Sequence, residues 1–170
     1  MKTSINRNYL EINSIQSLSE VSKPSSGLNI TLIEKPDFQL NKFFYKEVGK
    51  KYRWIDRLSW TEKKWIKYVR SPNVKTHVLK EDQNLAGYFE QIFHNEKNDC
   101  EIAYFGVLEE FIGKKYGGYL LSEAIKESFK LGAGRVWVHT CSLDHKHALE
   151  NYKSRGMKIF KSETISINPL

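Results

Sequence analysis

The stretch Ala103-Tyr-Phe-Gly-Val-Leu-Glu-Glu-Phe-Ile-Gly-Lys-Lys-Tyr-Gly-Gly-Tyr-Leu-Leu121 passes from a strand-like apolar run through glycines and lysines into an apolar helical repeat. A strand that enters a glycine turn at a helix N-terminus leaves backbone N–H groups unpaired there, and the helix dipole adds positive potential. Such a turn suits an anion, phosphate above all, although the same parts also join in purely structural units. Gly113 to Gly118 lacks the G-x-x-x-x-G-K-[ST] spacing of a P-loop, and no G-x-G-x-x-G dinucleotide pattern is present. The histidines and cysteine His139, Cys141, His145 and His147 are zinc-ligand types, but their spacing matches no common zinc module and no metal is expected.

These residues need elements to position them. Leu28, Ile30 and Leu32 alternate with Asn29 and Thr31, the period of a half-buried strand. After Pro36 and a cap at Asp37, Leu40, Phe44 and Val48 recur every four residues until Gly49, which predicts a helix. A capping box Ser59-Trp-Thr-Glu62 opens a second helix, with Trp65, Ile66 and Val69 on one face. Val74 to Leu79 and Leu85 to Phe93, joined by the polar turn Glu81-Asp-Gln-Asn84, predict a β-hairpin. Cys100 to Leu108 is apolar on both faces, as in a central strand, and Leu120, Leu121, Ala124, Ile125 and Phe129 mark a helix ended by Gly132. A strand from Arg135 to Thr140, a short helix capped by Asp144 and stopped by Gly156, and a strand from Met157 to near Ile165 complete the order. The pattern predicts a mixed α/β sheet in which a crossover makes the strands at Cys100–Leu108 and Arg135–Thr140 parallel neighbours. Residues 1–27 are polar apart from the patch Tyr9-Leu-Glu-Ile12 and read as an N-terminal arm to one domain over 28–170.

With 170 residues, 40% of them hydrophobic, and nine Phe, nine Tyr and four Trp, the chain suits one packed domain and not a disordered segment. No apolar run approaches the roughly 20 residues that cross a bilayer. The start, Met1-Lys-Thr-Ser-Ile-Asn-Arg-Asn8, has no secretory h-region, so a cytoplasmic location without membrane association is expected. Cys100 and Cys141 form no C-x-x-C pair and no disulfide framework. A net charge of +7 attracts nucleic acid, anionic membranes and polyanionic small molecules alike. The lysines are scattered as on a solvated surface, so nucleic-acid binding is not expected.

The element order, the glycine turn after the fourth core strand and Ala148-x-x-x-Tyr152-x-x-x-Gly156 together resemble the GCN5-related N-acetyltransferase (GNAT) superfamily over residues 28 to 165. The resemblance implies a mostly antiparallel sheet with flanking helices and a parallel crossover between the fourth and fifth core strands. The family's pyrophosphate loop, Q/R-x-x-G-x-G/A, corresponds to Ile112-Gly-Lys-Lys-Tyr-Gly117, with Ile112 in place of Gln or Arg and Lys115 in place of the first glycine. Backbone N–H groups do most of the binding there, and any residue but proline supplies one. Lys114 and Lys115 would add charge, and Lys115 must take a glycine's backbone angles. A second family pattern, N-x-x-A-x-x-x-Y-x-x-x-G-F, falls on His145, Ala148, Tyr152, Gly156 and Met157, with His145 and Met157 as the departures.

As a member of that superfamily the chain would transfer an acetyl group from acetyl-CoA, its co-substrate, directly to a primary amine of a small molecule or peptide, as a monomer or homodimer without a metal. The resemblance assigns Phe105, Gly106 and Val107 to the pantetheine arm, Ile112, Gly113, Lys114, Lys115, Tyr116, Gly117 and Gly118 to pyrophosphate, and His145 to pantetheine. Tyr152 would protonate the departing thiolate. Glu101, eleven positions before Ile112, would be the general base, with Glu90 in the preceding strand as the runner-up. Trp54, Asp56 and Trp60 would wall the acceptor cleft, the carboxylate drawing an ammonium and the rings stacking on it, or else form a surface pair and a helix staple. The departures at Ile112, Lys115 and His145 leave a catalytically weak CoA-binding regulatory module as the alternative.

Overall fold

Alternating burial along the strands and one-sided burial along the helices arrange the chain in layers about a single sheet. The computed structural model describes residues 2–168 and contains seven strands, β1 (Thr3–Ile12), β2 (Leu28–Leu32), β3 (Val74–Glu81), β4 (Asn84–His94), β5 (Asp99–Val107), β6 (Arg135–Cys141) and β7 (Lys158–Ile167). Their spatial order is β2-β3-β4-β5-β6-β1-β7. Neighbours are antiparallel except β5 and β6, which run parallel across the crossover formed by α3 (Tyr116–Lys130). The mixed, mostly antiparallel α/β architecture expected from the sequence is thus what the chain adopts.

α3 and α4 (Ala148–Ser154) cover one face of the sheet, where Leu120, Leu121, Ala124 and Ile125 pack on Leu10, Phe89, Ile102, Val136 and Val138. α1 (Phe38–Gly49) lies on the other face and buries Phe44 and Val48 against Val78, Tyr88 and Leu108. The Phe44 and Tyr88 rings stack at 4.7 Å, and burying a side chain of this size contributes about 1.5–3 kcal/mol. Asp37 caps α1 as expected by accepting from Gln39 N. The cap of α2 (Glu62–Arg70) is Thr61, two residues after the expected Ser59, because the Thr61 hydroxyl reaches Lys64 N. Asp144 caps no helix; its carboxylate accepts from Cys141 N at 3.0 Å and closes the turn after β6.

The largest difference from the sequence reading is at the N-terminus. Residues 3–12, read as part of an arm, form a ten-residue strand inside the sheet, between β6 and β7. Ile5, Leu10 and Ile12 are buried, but the intervening Asn6, Arg7 and Asn8 conceal the strand period because they need not face the apolar core. The segment that follows is tied to the helical layer by Ser19 N to Arg155 O at 2.9 Å and Val21 N to Ser122 Oγ at 2.9 Å. Among the described residues no helix is long and apolar enough to cross a membrane.

Candidate active site

β5 and β6 pair only through Asp99, Cys100 and Glu101 against Arg135, Val136 and Trp137, and then part. At that point Glu90 faces Tyr104 and Gln91 faces Ile102, leaving Ala103 as a bulge that bends β5. From Ile102 to Val107 the β5 backbone is bonded to β4 alone, and its other edge borders a cavity of about 920 Å³. A free strand edge of this kind takes an extended partner through main-chain hydrogen bonds.

The cavity runs to the turn that precedes α3. Gly113 has φ 89° and Lys115 φ 68°, so Lys115 takes the left-handed conformation demanded of it. Lys115 is the N-cap of α3, and its side chain makes no capping bond, which leaves the first N–H groups of the helix for an outside acceptor. A Cβ at Gly118 would lie 2.6 Å from Arg155 Nη1 and 3.0 Å from Val21 Cγ2, so glycine lets α4 press its arginine against the turn. Asn151 steadies this contact, donating from Nδ2 to Gly117 O at 3.3 Å and accepting from Arg155 Nη1 at 3.4 Å. Arg155 therefore places a cation at the mouth of the turn. Nothing in the sequence marked it beyond its position just before Gly156.

At the other end β1, β6 and the α1–α2 connection supply the wall. Trp54 meets the edge of Tyr104 at 4.8 Å and crosses Gly49, where a Cβ would lie 2.4 Å from Trp54 Cβ. Asp56, His139 and Arg7 border the same space. Residues 7 and 9 of β1 lie opposite 141 and 139 of β6, and the Tyr9 and His139 rings are 5.7 Å apart on the face away from α3. Burial, and next the positive charge of Arg7, hold His139 below the usual imidazole range. It is therefore neutral at pH 7, and among the described residues no side chain bonds to its ring nitrogens. A neutral imidazole open to a cavity accepts protons.

The sequence model of the Acetyltransferase (GNAT) family matches residues 35–157, well over half of the chain. The chain belongs to the GNAT acetyltransferase family. Its fold is similar to a GCN5-related N-acetyltransferase from Sphaerobacter thermophilus (TM-score 0.73, 15% identity, 99% of this chain and 54% of that one). It is also similar to a GCN5-related N-acetyltransferase from Kribbella flavida (TM-score 0.67, 12% identity, 95% of this chain and 56% of that one). A third similar structure is an aminoglycoside acetyltransferase from an uncultured soil metagenomic sample (TM-score 0.57, 15% identity, 78% of this chain and 90% of that one). The chain thus spans between about half and two thirds of the length of the first solved structures it matches. No curated protein matches it significantly in sequence.

Within this GNAT fold the residues singled out in the sequence divide into two groups. Phe105, Gly106, Val107, Ile112, Gly113, Lys115, Tyr116, Gly117, Gly118, His145, Tyr152, Trp54 and Asp56 all border the cavity. Tyr152 is buried on α4 with its ring 6.3 Å from Phe105, and burial pushes its phenol well above the usual range. His145 stacks edge-on against Tyr52 at 5.9 Å. Gly106 has a packing reason, since a Cβ there would lie 2.3 Å from Val48 Cγ1. Tyr116 turns partly inward, its hydroxyl donating to Glu81 Oε1 at 2.6 Å.

Glu90, Glu101, Trp60 and Lys114 do not border the cavity. Glu90 is wholly buried and accepts from Asn41 Nδ2 at 2.9 Å, Arg57 Nη1 at 2.9 Å and Tyr68 Oη at 2.6 Å. Glu101 sits where β5 and β6 still pair, 3.0 Å from His94 Nε2, before the strands open. Trp60 lies over the Arg57 guanidinium at 4.7 Å, and Lys114 over the Phe111 ring at 5.3 Å. Among the described residues no group of His, Cys, Asp and Glu is placed to hold a metal ion.

Proposed function

We propose that the chain transfers an acetyl group from acetyl-CoA to a primary amine of a small molecule or peptide, by direct attack with both substrates bound. The observation that carries this reading is the free β5 edge leading to the uncapped N-terminus of α3. The residues fit the co-substrate: the Ile102–Val107 edge offers main-chain partners to the amides of pantetheine, and the N–H groups at Gly117 and Gly118 with Lys115 and Arg155 offer a positive seat for pyrophosphate. When bound, acetyl-CoA supplies an activated thioester carbonyl.

The amine nitrogen forms a bond to the carbonyl carbon, and the carbon–sulfur bond breaks. His139 takes the proton that the nitrogen loses, and Tyr152 gives one to the departing thiolate, so the products are an amide and the CoA thiol. Solvent then returns each side chain to its starting state. The buried phenol stays protonated at neutral pH, as an acid must, and the half-buried imidazole stays neutral, as a base must. His139 replaces Glu101 and Glu90 in this role because neither carboxylate reaches the cavity.

Acetyl-CoA is expected to raise the melting temperature, because a ligand that binds only the native state stabilises it. Thiol release across a panel of amines then measures transfer. Tyr152→Phe and His139→Gln should each lower the rate by about 100-fold, the lower end for a positioned proton-transfer group. Unchanged rates in both would remove these roles. Binding of acetyl-CoA without thiol release across the panel would instead support the regulatory-module reading, which the strained Lys115 favours.

A further inference from the structure

The acceptor end of the cavity holds a guanidinium that the protein itself leaves short of partners. Arg135 is matched to Glu11 at 2.7 Å and Asp99 at 3.1 Å, and Arg57 to Glu90 at 2.9 Å. Among the described residues the carboxylate nearest Arg7 is Glu163, at 3.9 Å, beyond hydrogen-bond distance. That carboxylate already accepts from the hydroxyl of Tyr9 at 2.7 Å and lies 3.7 Å from Lys161 Nζ, and the Tyr9 oxygen also supports the Arg7 charge. Among the described residues Arg7 Nε is buried without a hydrogen-bond partner, although a guanidinium carries five N–H donors.

Arg7 is also placed away from the phosphate end. Leu10, Val136 and Val138 face the core under α3, whereas the Tyr9–His139 ring contact marks the opposite face, which Arg7 shares by strand alternation. On that side Arg7 and Asp56 border one space with His139, and the groups whose charges reach His139 are Arg7 on β1, Glu101 on β5, and Asp56 and Asp144 in the loops. A cation and a carboxylate thus border the same space as the imidazole, an arrangement complementary to a zwitterion.

We propose that the acceptor is an amine that also carries a carboxylate, an amino acid or a molecule with that pair of groups, and that Arg7 of the N-terminal strand binds the carboxylate. A guanidinium meets a carboxylate through two parallel, charge-assisted hydrogen bonds, and this fixes orientation as well as affinity. The ammonium end faces Asp56 and gives its proton to solvent before attack, while His139 receives the proton released on transfer. The proposal rests on the acyltransferase reading and narrows its substrate class.

The test uses the full chain, acetyl-CoA and paired probes that differ only in the carboxylate: phenylalanine and phenethylamine, lysine and cadaverine, and alanylalanine with and without a C-terminal amide. CoA thiol release should be at least about 10-fold more efficient, in kcat/KM, for the carboxylated member of at least one pair, as expected for a group held by charge-assisted bonds. Arg7→Gln should bring that ratio close to one. Arg7→Lys should leave an intermediate ratio, since it keeps the charge and loses the fork. The melting-temperature shift on adding acetyl-CoA, measured for each variant, reports that the cofactor end is intact. The proposal is overturned if the uncharged members react equally well or better in the wild-type chain, if Arg7→Gln lowers both members of a pair equally, or if acetyl-CoA binds and no probe reacts. Absence of any shift with acetyl-CoA would overturn the acyltransferase reading itself.

Discussion

The cluster between α1, α2 and β4 and the cavity between β5 and β6 are made of the same kinds of residue, yet one is closed on itself and the other is not. In the closed cluster Arg57 lies between the rings of Tyr68 and Tyr104, each 4.2 Å from its guanidinium carbon, and Trp60 at 4.7 Å, while Glu90 completes its hydrogen bonds with Asn41, Arg57 and Tyr68. Burial opposes the charge of Arg57, and Glu90 with its neighbouring rings more than offsets this, so its pKa is raised. Among the described residues at the cavity, the β5 edge beyond Glu101 has no strand beside it, the N-cap of α3 makes no side-chain bond, Arg7 Nε has no hydrogen-bond partner and no side chain bonds to the His139 ring. A buried carboxylate with its hydrogen bonds complete is a structural part; a group left short that also borders the cavity is available to a ligand.

The sharpest way to break that comparison is Glu90→Ala. Removing one partner of a buried pair strands the other, which typically costs about 3–5 kcal/mol, so a large drop in melting temperature is expected even with acetyl-CoA present. A variant of normal stability and no activity would mean that Glu90 is catalytic after all.

Two histidines sharpen the contrast. His77 is closed in the core, stacked on Phe89 at 4.5 Å, and burial lowers its pKa from 6.5 to about 4. Between those values the unfolded chain binds more protons than the native one, so stability is full above pH 6.5, falls as pH drops towards 4, and levels below it. The loss attributable to His77 is on the order of 3 kcal/mol by pH 4, because a tenfold difference in proton affinity between the native and unfolded chains corresponds to about 1.4 kcal/mol. Denaturant titrations of the wild type and His77→Phe at pH 7 and pH 4.5 should show a smaller pH dependence in the variant; equal dependence would contradict it. His139, by contrast, should leave its mark on activity, which falls as acid charges the imidazole.

The smallest expected effect concerns Lys115. A non-glycine residue in the left-handed region costs about 1 kcal/mol, so Lys115→Gly relieves strain while losing a charge at the turn. Its stability should rise or hold within about 1 kcal/mol, offset in part by the greater entropy of the unfolded chain. A marked loss in melting temperature would show that the lysine side chain supports the turn.

Elements with strong local signals were legible in the sequence. Asp37 and Gly49 bracket α1, and alternation or continuous apolar runs mark β2 to β6. β1 was not legible beyond Tyr9–Ile12, because its polar residues, Arg7 among them, face the cavity or the open face of the sheet. That the glycine turn and Tyr152 belong together could be read because they stand at the spacing of the family patterns, and both line the cavity. The place of Arg7 and His139 beside the cavity could not be read, since they are brought together only through pairing of strands more than a hundred residues apart. In the sequence Glu101 reads as the base from its spacing before Ile112, with Glu90 as runner-up, because a carboxylate in a strand carries no sequence mark of the side chain that will bond to it.

Hydrogen exchange with and without acetyl-CoA tests the central claim most directly, because it compares both regions in one experiment. Acetyl-CoA should slow exchange over residues 102–107 and 116–118 and leave the segment around Arg57 and Trp60 unchanged. Protection confined to the Arg57 cluster, or no change along the β5 edge in a chain that binds acetyl-CoA, would contradict the placement of the acyl donor between β5 and β6.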